Sequence, residues 1–260
     1  RHEDAPRPPA REAAMRMNRV FVAQPLAPGA GVELPEDAAQ HLLRVLRLRV
    51  GDECVLFNGD GHDYPARITA AGKRGGEVEI LASEPVDNES PLHITLVQGI
   101  ARGEKMDLIL QKATELGVAG FVPVSSQRSE VKLDAARAEK RLMHWRSVVG
   151  SACGQCGRAR VPEVRPPQPL GTALEALVLD GTRLLLDPFA QATVATLEDS
   201  GATGFTLAVG PEGGWSPADR AALQAAGFIG IRLGPRVLRT ETAGLAAVAA
   251  LQARFGDLAS

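Results

Sequence analysis

Short apolar runs separated by glycine-rich turns dominate the first third of the chain. Each run places β-branched or aromatic residues between turn residues, which is the pattern of short strands. The predicted strands are 18–23, 54–57, 64–69 and 76–81. The segment 36–48 differs, because its apolar residues recur at helical spacing opposite Arg44 and Arg47, and it predicts a short amphipathic helix. Short strands with glycine-rich turns predict a small β-barrel.

From residue 92 the pattern changes to buried strands that alternate with helices. Continuous apolar runs predict the strands, and apolar positions at helical spacing predict the helices. The predicted strands are 93–100, 120–124, 183–188, 206–209 and 229–233. The predicted helices are 104–116, 134–151, 171–177, 193–198, 217–226 and 242–255, the last capped by Thr240 or Thr242. This alternation predicts an α/β domain with a mainly parallel sheet.

The change of pattern predicts two folded domains. We expect the β-domain over 18–84, a linker over 85–91 and the α/β domain over 92–260. Residues 1–17 are polar and rich in proline and arginine, which predicts a disordered extension rather than a secretory signal. No apolar run approaches the ~20 residues of a membrane span. Three cysteines in 260 residues fit a reduced, cytoplasmic setting.

Two glycine-proline turns, Gly210-Pro211 and Gly234-Pro235, each follow directly after a predicted strand. Because a helix lies between those strands, we expect them to pair in parallel, which brings both loops to one end of the sheet. Ligands bind at that end in open α/β sheets. Taken singly, each turn is equally well explained as an ordinary connection. The first loop carries Glu212 and lacks the lysine and Ser/Thr of a phosphate-binding loop, so it favours a cationic or hydroxyl-bearing ligand.

Other common sites have no support in the sequence. No GxGxxG joins a strand to a helix, no HExxH or other metal-ligand spacing occurs, and there is no GxSxG. Dinucleotide, metal and triad-hydrolase sites are therefore not expected. Cys153 and Cys156 have CxxC spacing, but a four-thiolate zinc site needs a second pair, so we interpret them as two small residues on one helix.

Charge gives a local rather than a global indication of a partner. The formal net charge is −2, which does not favour nucleic acid overall. Basic residues nevertheless cluster, and such clusters bind phosphates even on a neutral chain, although most are simply solvated faces. The clusters are Arg44, Arg47 and Arg49; Lys73 and Arg74; Arg158 and Arg160; and Arg236 and Arg239.

Two motifs carry a family resemblance. GPEGGWSPAD at 210–219 and LGPRVLRTETA at 233–243 resemble the signature of SPOUT methyltransferases, specifically the RsmE type, which methylates N3 of a uridine in bacterial 16S ribosomal RNA. Supporting blocks are EKMDLILQKATELGV, QRSEVK and GQCGRARVPEV in the α/β domain, and NRVFV and HLLRVLRLRVGD in the first domain, which is a PUA-like RNA-binding domain in that family. Trp215 stands where a smaller or aliphatic residue is typical of the family.

The resemblance implies a deep C-terminal trefoil knot, S-adenosylmethionine as the methyl donor, and a homodimer. In this family the cofactor lies bent between the knotted loops and is held largely by backbone. Carried onto this chain, the cofactor-binding residues are Leu186, Gly210, Pro211, Glu212, Gly213, Gly214, Leu233, Gly234, Leu238 and Thr240.

The implied reaction points to candidate catalytic residues. N3 of uracil carries a proton, so a positive group near O2 or O4 would spread the charge that develops when the proton leaves. Arg239 is the main candidate, supported by Arg236 and Arg128, which also suit RNA phosphates, and Glu241 is a candidate proton acceptor. The alternatives are a salt bridge between Arg239 and Glu241, and a first-turn helix charge for Glu241.

RNA contacts are expected mainly on the first domain, and chiefly to phosphates. The candidates there are Arg19, Arg44, Arg47, Arg49, Lys73 and Arg74. The alanine-rich last helix is a candidate dimer interface, or else packs within one subunit. We thus expect a cytoplasmic uridine-N3 methyltransferase that acts on 16S rRNA or the small ribosomal subunit without a metal. The alternatives are a non-catalytic RNA-binding relative and an enzyme that methylates an RNA 2′-hydroxyl.

Overall fold

The computed structural model describes residues 18–72, 75–129, 134–177, 181–198, 201 and 203–259. The expected extension 1–17 and the candidate RNA ligands Lys73 and Arg74 lie outside the described residues. Contacts divide the chain into two compact units. The first contains residues up to Glu89 together with Gly150–Val161, and the second contains Ser90–Val149 and Pro162–Ser260. This division differs from the boundaries expected from the sequence, since 85–89 and 150–161 both join the first unit.

The first unit is built on one sheet. Its strands are β1 (Arg19–Phe21), β2 (Gly31–Glu33), β3 (Glu53–Phe57), β4 (His62–Ala71), β5 (Gly76–Ile80) and β6 (Glu84–Pro85). They follow the order β1-β3-β4-β5-β2, with β6 on β4, and all pairs are antiparallel except β1 with β3. The four strands expected here are confirmed, and β2 is additional.

The expected amphipathic helix 36–48 is shorter and irregular. Helix α1 (Glu36–Ala39) continues as a π-helical segment over Gln40–Val45. Its apolar face is buried in the core of the first unit, where Ala38, Ala39 and Leu42 pack against the sheet residues. Arg44 and Arg47 are exposed, as the pattern predicts.

Arg19 is part of the interior of the first unit. It is 9% exposed, and its guanidinium donates to both carboxylate oxygens of Asp63 and to the carbonyl oxygen of Cys153. It also lies 4.7 Å from the centre of the Phe57 ring. This burial and pairing argue against the expected RNA contact of Arg19, because a phosphate would have to displace a buried ion pair.

The second unit is an α/β structure. Its strands are β7 (His93–Gly99), β8 (Val118–Ser125), β9 (Glu163–Val164), β10 (Gln168–Pro169), β11 (Thr182–Leu186), β12 (Ala192–Thr193), β13 (Gly204–Val209) and β14 (Ile229–Arg232). The helices are α2 (Glu104–Glu115), α3 (Ala135–Cys156), α4 (Leu170–Ala176), α5 (Pro217–Ala225) and α6 (Thr240–Phe255), of which α3 ends in the first unit. The strand order is β10-β8-β7-β13-β11-β14-β12, with β9 on β8, and every pair is parallel. The α/β class with a mainly parallel sheet is confirmed.

Three details of the second unit differ from expectation. β13 and β14 do not pair with each other, because β11 lies between them and pairs in parallel with both. The segment 193–198 contains only a 3₁₀ turn, Val194–Thr196, after β12. Helix α6 begins at Thr240 rather than 242, and its N-cap is Arg239, which makes no side-chain capping bond.

The cysteines follow the simpler interpretation. Cys153 and Cys156 both lie on α3, and none of the three cysteines forms a disulfide. Burial raises the pKa of Cys153 to about 12 and that of Cys54 to about 11, so neither is a reactive thiolate. Within the described residues, no group of His, Cys, Asp and Glu could hold a metal ion, and no helix is long and apolar enough to cross a membrane.

Candidate functional site

A cavity of about 500 Å³ opens at the carboxyl end of the parallel sheet in the second unit. The loops that follow β11, β13 and β14 form its walls, so the expected arrangement of the two glycine-proline loops at one sheet end is confirmed. Its lining residues are Lys105, Arg128, Leu186, Asp187, Pro188, Val209–Trp215, Arg220, Ile231, Arg232, Leu233, Arg236–Thr240 and Ala243. A volume of this size is typical of a site for a small-molecule ligand.

The first loop is compact because its glycines lie against backbone. A Cβ atom on Gly210 would lie 3.1 Å from Cα of Gly214, and Gly214 has φ 64°. The N–H of Gly214 donates to the carbonyl oxygen of Pro211 at 2.8 Å, which closes the turn. Directly after the loop, Ser216 begins helix α5 with a capping box, in which its hydroxyl accepts from the N–H of Asp219. The local sequence therefore fixes both ends of the loop.

Trp215 forms part of the floor of the cavity. It is 2% exposed and packs in the apolar core of the second unit with Val97, Leu185 and Ala208. Its indole Nε1 is buried and has no hydrogen-bond partner among the described residues. A buried N–H without a partner is uncommon, and beside a cavity it is suited to a ligand acceptor.

Thr240 ties three elements together beneath the loop. Its hydroxyl donates to the carbonyl oxygen of Gly210 at 2.6 Å and accepts from Nε2 of Gln98 at 3.0 Å. Gln98 is fully buried at the end of β7 and also donates to the carbonyl oxygen of Gly99. The start of α6, the end of β7 and the first glycine loop therefore share one hydrogen-bond network.

Glu212 is held by the protein itself. Its Oε1 accepts from the N–H of Arg102 at 3.1 Å and from Nζ of Lys105 at 3.2 Å. Burial opposes ionisation, but the hydrogen bonds from Arg102 and Lys105 outweigh it and lower the pKa of Glu212 below its ordinary value. The expectation that this carboxylate makes the loop acidic towards a ligand is thus weakened, since Lys105 neutralises it.

A second carboxylate, Asp187, is also engaged. It forms an ion pair with Arg220 and accepts from the N–H of Phe189 at 3.0 Å. Burial alone would raise its pKa, but the bonds from Arg220 and Phe189 lower it below the ordinary value. The N–H of Ala190 donates to the Asp187 carbonyl oxygen at 3.1 Å, which closes a tight turn after β11.

The rim of the cavity carries an excess of positive charge. Arg128, Arg232, Arg236 and Arg239 all line the cavity and are exposed, whereas its two carboxylates are already paired with cations. Arg128 donates to the carbonyl oxygen of Gly213 at 3.2 Å, which places it over the first loop. In the part of the chain that the structure describes, the alternative salt bridge between Arg239 and Glu241 does not form. An electropositive rim attracts phosphates.

Most residues expected at the site are brought together. The residues that line the cavity are Leu186, Gly210, Pro211, Glu212, Gly213, Gly214, Leu233, Leu238 and Thr240, with Arg128, Arg236 and Arg239 beside them. Gly234 and Glu241 do not line it. Glu241 lies in the first turn of α6, and its Oε2 is buried with no hydrogen-bond partner among the described residues.

Several lining residues were not expected from the sequence. The charged ones among them are Lys105, Asp187, Arg220 and Arg232. Asp187 and Arg232 stand at or just beyond the ends of strands, a position that could have marked them. Lys105 and Arg220 lie on helices and reach the cavity through their ion pairs with Glu212 and Asp187. Nothing in the local pattern signals such pairs.

Family models cover both parts of the chain. A model described as an RNA methyltransferase domain matches residues 88–252, and one described as an RNA methyltransferase PUA domain matches residues 34–81. The chain belongs to the RNA methyltransferase family. This membership confirms the resemblance drawn from the GPEGGWSPAD and LGPRVLRTETA motifs.

Individual relatives define the membership more closely. The ribosomal RNA small subunit methyltransferase E of Buchnera aphidicola is 32% identical over 94% of this chain and 98% of its own. The protein of the same name from Mycobacterium bovis is 34% identical over 89% of this chain and 91% of its own. The relatives that place the chain in the family thus share this name.

Solved structures agree in fold. The ribosomal RNA small subunit methyltransferase E of Neisseria gonorrhoeae, bound to S-adenosylmethionine, has a TM-score of 0.85 and 41% identity, covering 94% of this chain and 100% of that chain. A protein from Legionella pneumophila, in complex with the same cofactor, has a TM-score of 0.88 and 38% identity at the same coverage. The fold is therefore that of the SPOUT methyltransferases preceded by a PUA-like domain.

Proposed function

We propose that this protein transfers a methyl group from S-adenosylmethionine to N3 of a uridine in 16S ribosomal RNA of the small ribosomal subunit. The observation that carries the proposal is the cavity at the carboxyl end of the sheet, built from the two motifs that mark the family. Relatives about 40% identical hold S-adenosylmethionine, and the relatives of the same family are named for the small subunit rRNA.

The residues of the cavity fit this cofactor. Leu186, Leu233 and Leu238 offer apolar surface for an adenine ring, and the backbone of 210–214 offers polar groups at close range because its glycines carry no side chain. Trp215 also lines the cavity, and its buried indole N–H has no hydrogen-bond partner among the described residues. When bound, S-adenosylmethionine supplies an electrophilic methyl group on a sulfonium centre.

Arg239 is the residue that we propose acts on the uracil. Arg239 is the N-cap of α6. Its carbonyl oxygen accepts a hydrogen bond of 2.8 Å from the N–H of Ala243, which fixes its backbone. Its side chain lines the cavity and, within the described part of the chain, has no ion-pair partner. A guanidinium there would stabilise the negative charge on O2 or O4 as the N3 proton leaves. Because N3 lies on the pairing edge, the uridine must be unpaired or flipped out.

Neither carboxylate of the cavity is suited to accept the N3 proton of the uracil. Glu212 and Asp187 are both ion-paired, with pKa values below their ordinary range, so they are weak bases. Glu241 remains the candidate of the sequence motif, and its route to the uracil would need a water molecule, since it does not line the cavity. We propose Arg236 and Arg128 as ligands of RNA phosphates beside the reacting base.

We further propose the assembly and setting typical of the family. The protein would act in the cytoplasm as a homodimer, with the C-terminal loops tied into a trefoil knot. The network that joins Thr240, Gly210 and Gln98 supports close passage of the chain at this point, because it links segments 30 and 142 residues apart in sequence. The first unit would supply an RNA-binding surface that carries Arg44, Arg47 and Arg49.

Nucleoside analysis tests the proposal. Unmodified 16S rRNA and assembled small subunits are each incubated with the protein and S-adenosylmethionine that carries an isotopically labelled methyl group. Mass spectrometry of the digested RNA is expected to find the label in 3-methyluridine. Label in a 2′-O-methylated nucleoside would replace the proposed reaction with the alternative one. No label in either substrate, together with no binding of S-adenosylmethionine by calorimetry, would favour a non-catalytic RNA-binding protein.

A further inference from the structure

One aromatic side chain stands apart from the others in this protein. The chain has seven Phe, one Tyr and two Trp, all within the described residues. Nine of the ten are buried or partly buried, and only Phe189 is exposed, with 80% of its surface accessible. Burial of apolar surface is favourable, and the exposed ring of Phe189 lacks most of the stabilisation that the other nine aromatic side chains gain from it. The exposed ring is therefore available to contact a binding partner.

The exposure of Phe189 is built into the backbone. The carboxylate of Asp187 accepts from its N–H at 3.0 Å and is itself held by Arg220. The N–H of Asp187 donates to the carbonyl oxygen of Ile231 at 2.9 Å, which anchors the turn to the neighbouring strand β14. The turn also packs on Gly230, where an added Cβ would lie 3.3 Å from Cβ of Ala190. The ring is thus presented by a fixed turn at the tip of β11.

This turn borders the proposed reaction site. Asp187 and Pro188, immediately before Phe189, line the cavity, while Phe189 itself does not. The adjacent loop after β14 presents Val237, which lines the cavity and is 81% exposed. Because Leu186 of β11 pairs with Ile231 of β14, the two loops emerge side by side. The two loops at this edge of the sheet therefore each carry one exposed apolar side chain, Phe189 and Val237.

The charge on these loops indicates which partner the exposed apolar side chains fit. Arg232, Arg236 and Arg239 lie on and next to the same loop and are exposed. A protein partner would be expected to meet exposed apolar side chains with apolar residues and few charges. An RNA strand offers both features at once, since unpaired bases stack on aromatic rings and the phosphates pair with arginines.

We infer that Phe189 is a positioning residue that stacks on an unpaired base next to the target nucleotide in the RNA. The target base enters the cavity, which Phe189 does not line, so the ring meets a flanking base instead. Stacking of the flanking base would hold the RNA strand open at the mouth and keep the target nucleotide aligned. The inference rests on the proposed function, because it takes rRNA as the ligand.

Four variants test the inference in the full-length protein: Phe189→Ala, Phe189→Leu, Phe189→Trp and the control Ile229→Ala. Ile229 is also an exposed apolar residue, 57% accessible, but it stands at the opposite end of β14. The ligand is a 16S rRNA fragment that contains the nucleotide methylated by the wild type. We expect roughly ten-fold weaker RNA binding for the alanine and leucine variants, near wild-type binding for the tryptophan variant, and no change for the control.

Two further measurements separate stacking from a structural role. The Kd for S-adenosylmethionine, measured by calorimetry, is expected to be the same for all variants. In RNA made abasic at one of the two nucleotides that flank the target, Phe189→Ala should bind as well as the wild type does. A leucine variant that binds like the wild type would overturn the inference, as would a loss of cofactor affinity or of a dimer in the alanine variant.

The experiment distinguishes failure of the proposed function from failure of the stacking role. If the wild type methylates another position of the RNA, the uridine-N3 assignment fails, while the ratio of RNA affinities between wild type and Phe189→Ala still tests stacking. If the wild type methylates N3 of a uridine and all Phe189 variants bind RNA alike, the function stands and the stacking role is wrong.

Discussion

At the scale of single residues, Arg239 is where sequence and structure converge. The motif singled it out, and the structure places its side chain at the cavity, with its backbone fixed at the start of α6. Its guanidinium is exposed, so truncation removes charge without leaving a buried partner unpaired. A cation in this position is expected to contribute to the transition state more than to folding.

We therefore expect Arg239→Ala to lower kcat for rRNA methylation by roughly 10²–10³-fold, as loss of one preorganised charge donor does in other enzymes. The melting temperature and the Kd for S-adenosylmethionine should stay at wild-type values. Arg236→Ala, three residues earlier in the same loop, is the matched comparison. It should raise KM for RNA with little effect on kcat. Turnover of Arg239→Ala equal to the wild type would remove this residue from the mechanism.

Glu212 gives a residue-scale prediction about pH. Its pKa is lowered below the ordinary value of 4.5, so its ionised form stabilises the folded state. That stabilisation is fully present above the unfolded-state pKa and is lost as the pH falls through the lower, folded-state pKa. The melting temperature of Glu212→Gln should thus lie below that of the wild type at neutral pH, and the gap should close as the pH falls below about 4. Glu139→Gln, which removes an exposed carboxylate of α3, is the control.

At the scale of elements, the network around Thr240 determines how the first glycine loop is held. The sequence predicted Thr240 as a helix cap and, by resemblance, as a cofactor ligand. The structure shows that Thr240 lines the cavity and that its hydroxyl is bonded to Gly210 and Gln98, so it acts as a strut between α6, β7 and the loop. The Thr240 hydroxyl is therefore one of the contacts that hold the first loop in place.

Replacement of that hydroxyl should loosen the loop. Thr240→Val keeps the shape but removes both hydrogen bonds, and we expect about 1–3 kcal/mol of lost stability because the carbonyl of Gly210 and the amide of Gln98 lose a partner. Affinity for S-adenosylmethionine should fall in the same variant. Thr240→Ser, which restores the hydroxyl, should recover most of both properties. Thermal melts and calorimetry check this, and a valine variant with unchanged cofactor affinity would contradict the strut role.

Element types and the position of the cavity were predictable, because apolar periodicity and glycine-proline turns are local signals. The insertion of β11 between β13 and β14 was not, since strand order depends on pairing between distant segments. Charge was predicted least well. Arg19 has the sequence features of a surface cation, yet it is buried and paired with Asp63, 44 residues away in sequence. Lys105 neutralises Glu212, whose charge was the reason to expect a cationic ligand.

At the scale of the whole molecule, the proposed function assigns different roles to the two units. The cavity and its arginines lie in the second unit, whereas the first unit presents Arg44, Arg47 and Arg49 on and just after its π-helical segment. A net charge of −2 means that no overall attraction brings the protein to RNA. Affinity must then come from local surfaces, and it should be separable from chemistry by mutation.

The triple variant Arg44→Gln, Arg47→Gln, Arg49→Gln tests this separation. Each lost phosphate contact should reduce the slope of log K against log salt by about 0.7–0.9, so three contacts would reduce it by roughly 2–3. We expect a higher KM for rRNA, an unchanged kcat at saturating RNA and an unchanged Kd for S-adenosylmethionine. Arg67→Gln is the control, an exposed arginine of the same unit that is paired with Glu53. A triple variant with the wild-type salt slope would mean that these arginines are solvated surface, and that the RNA is held by the arginines of the cavity alone.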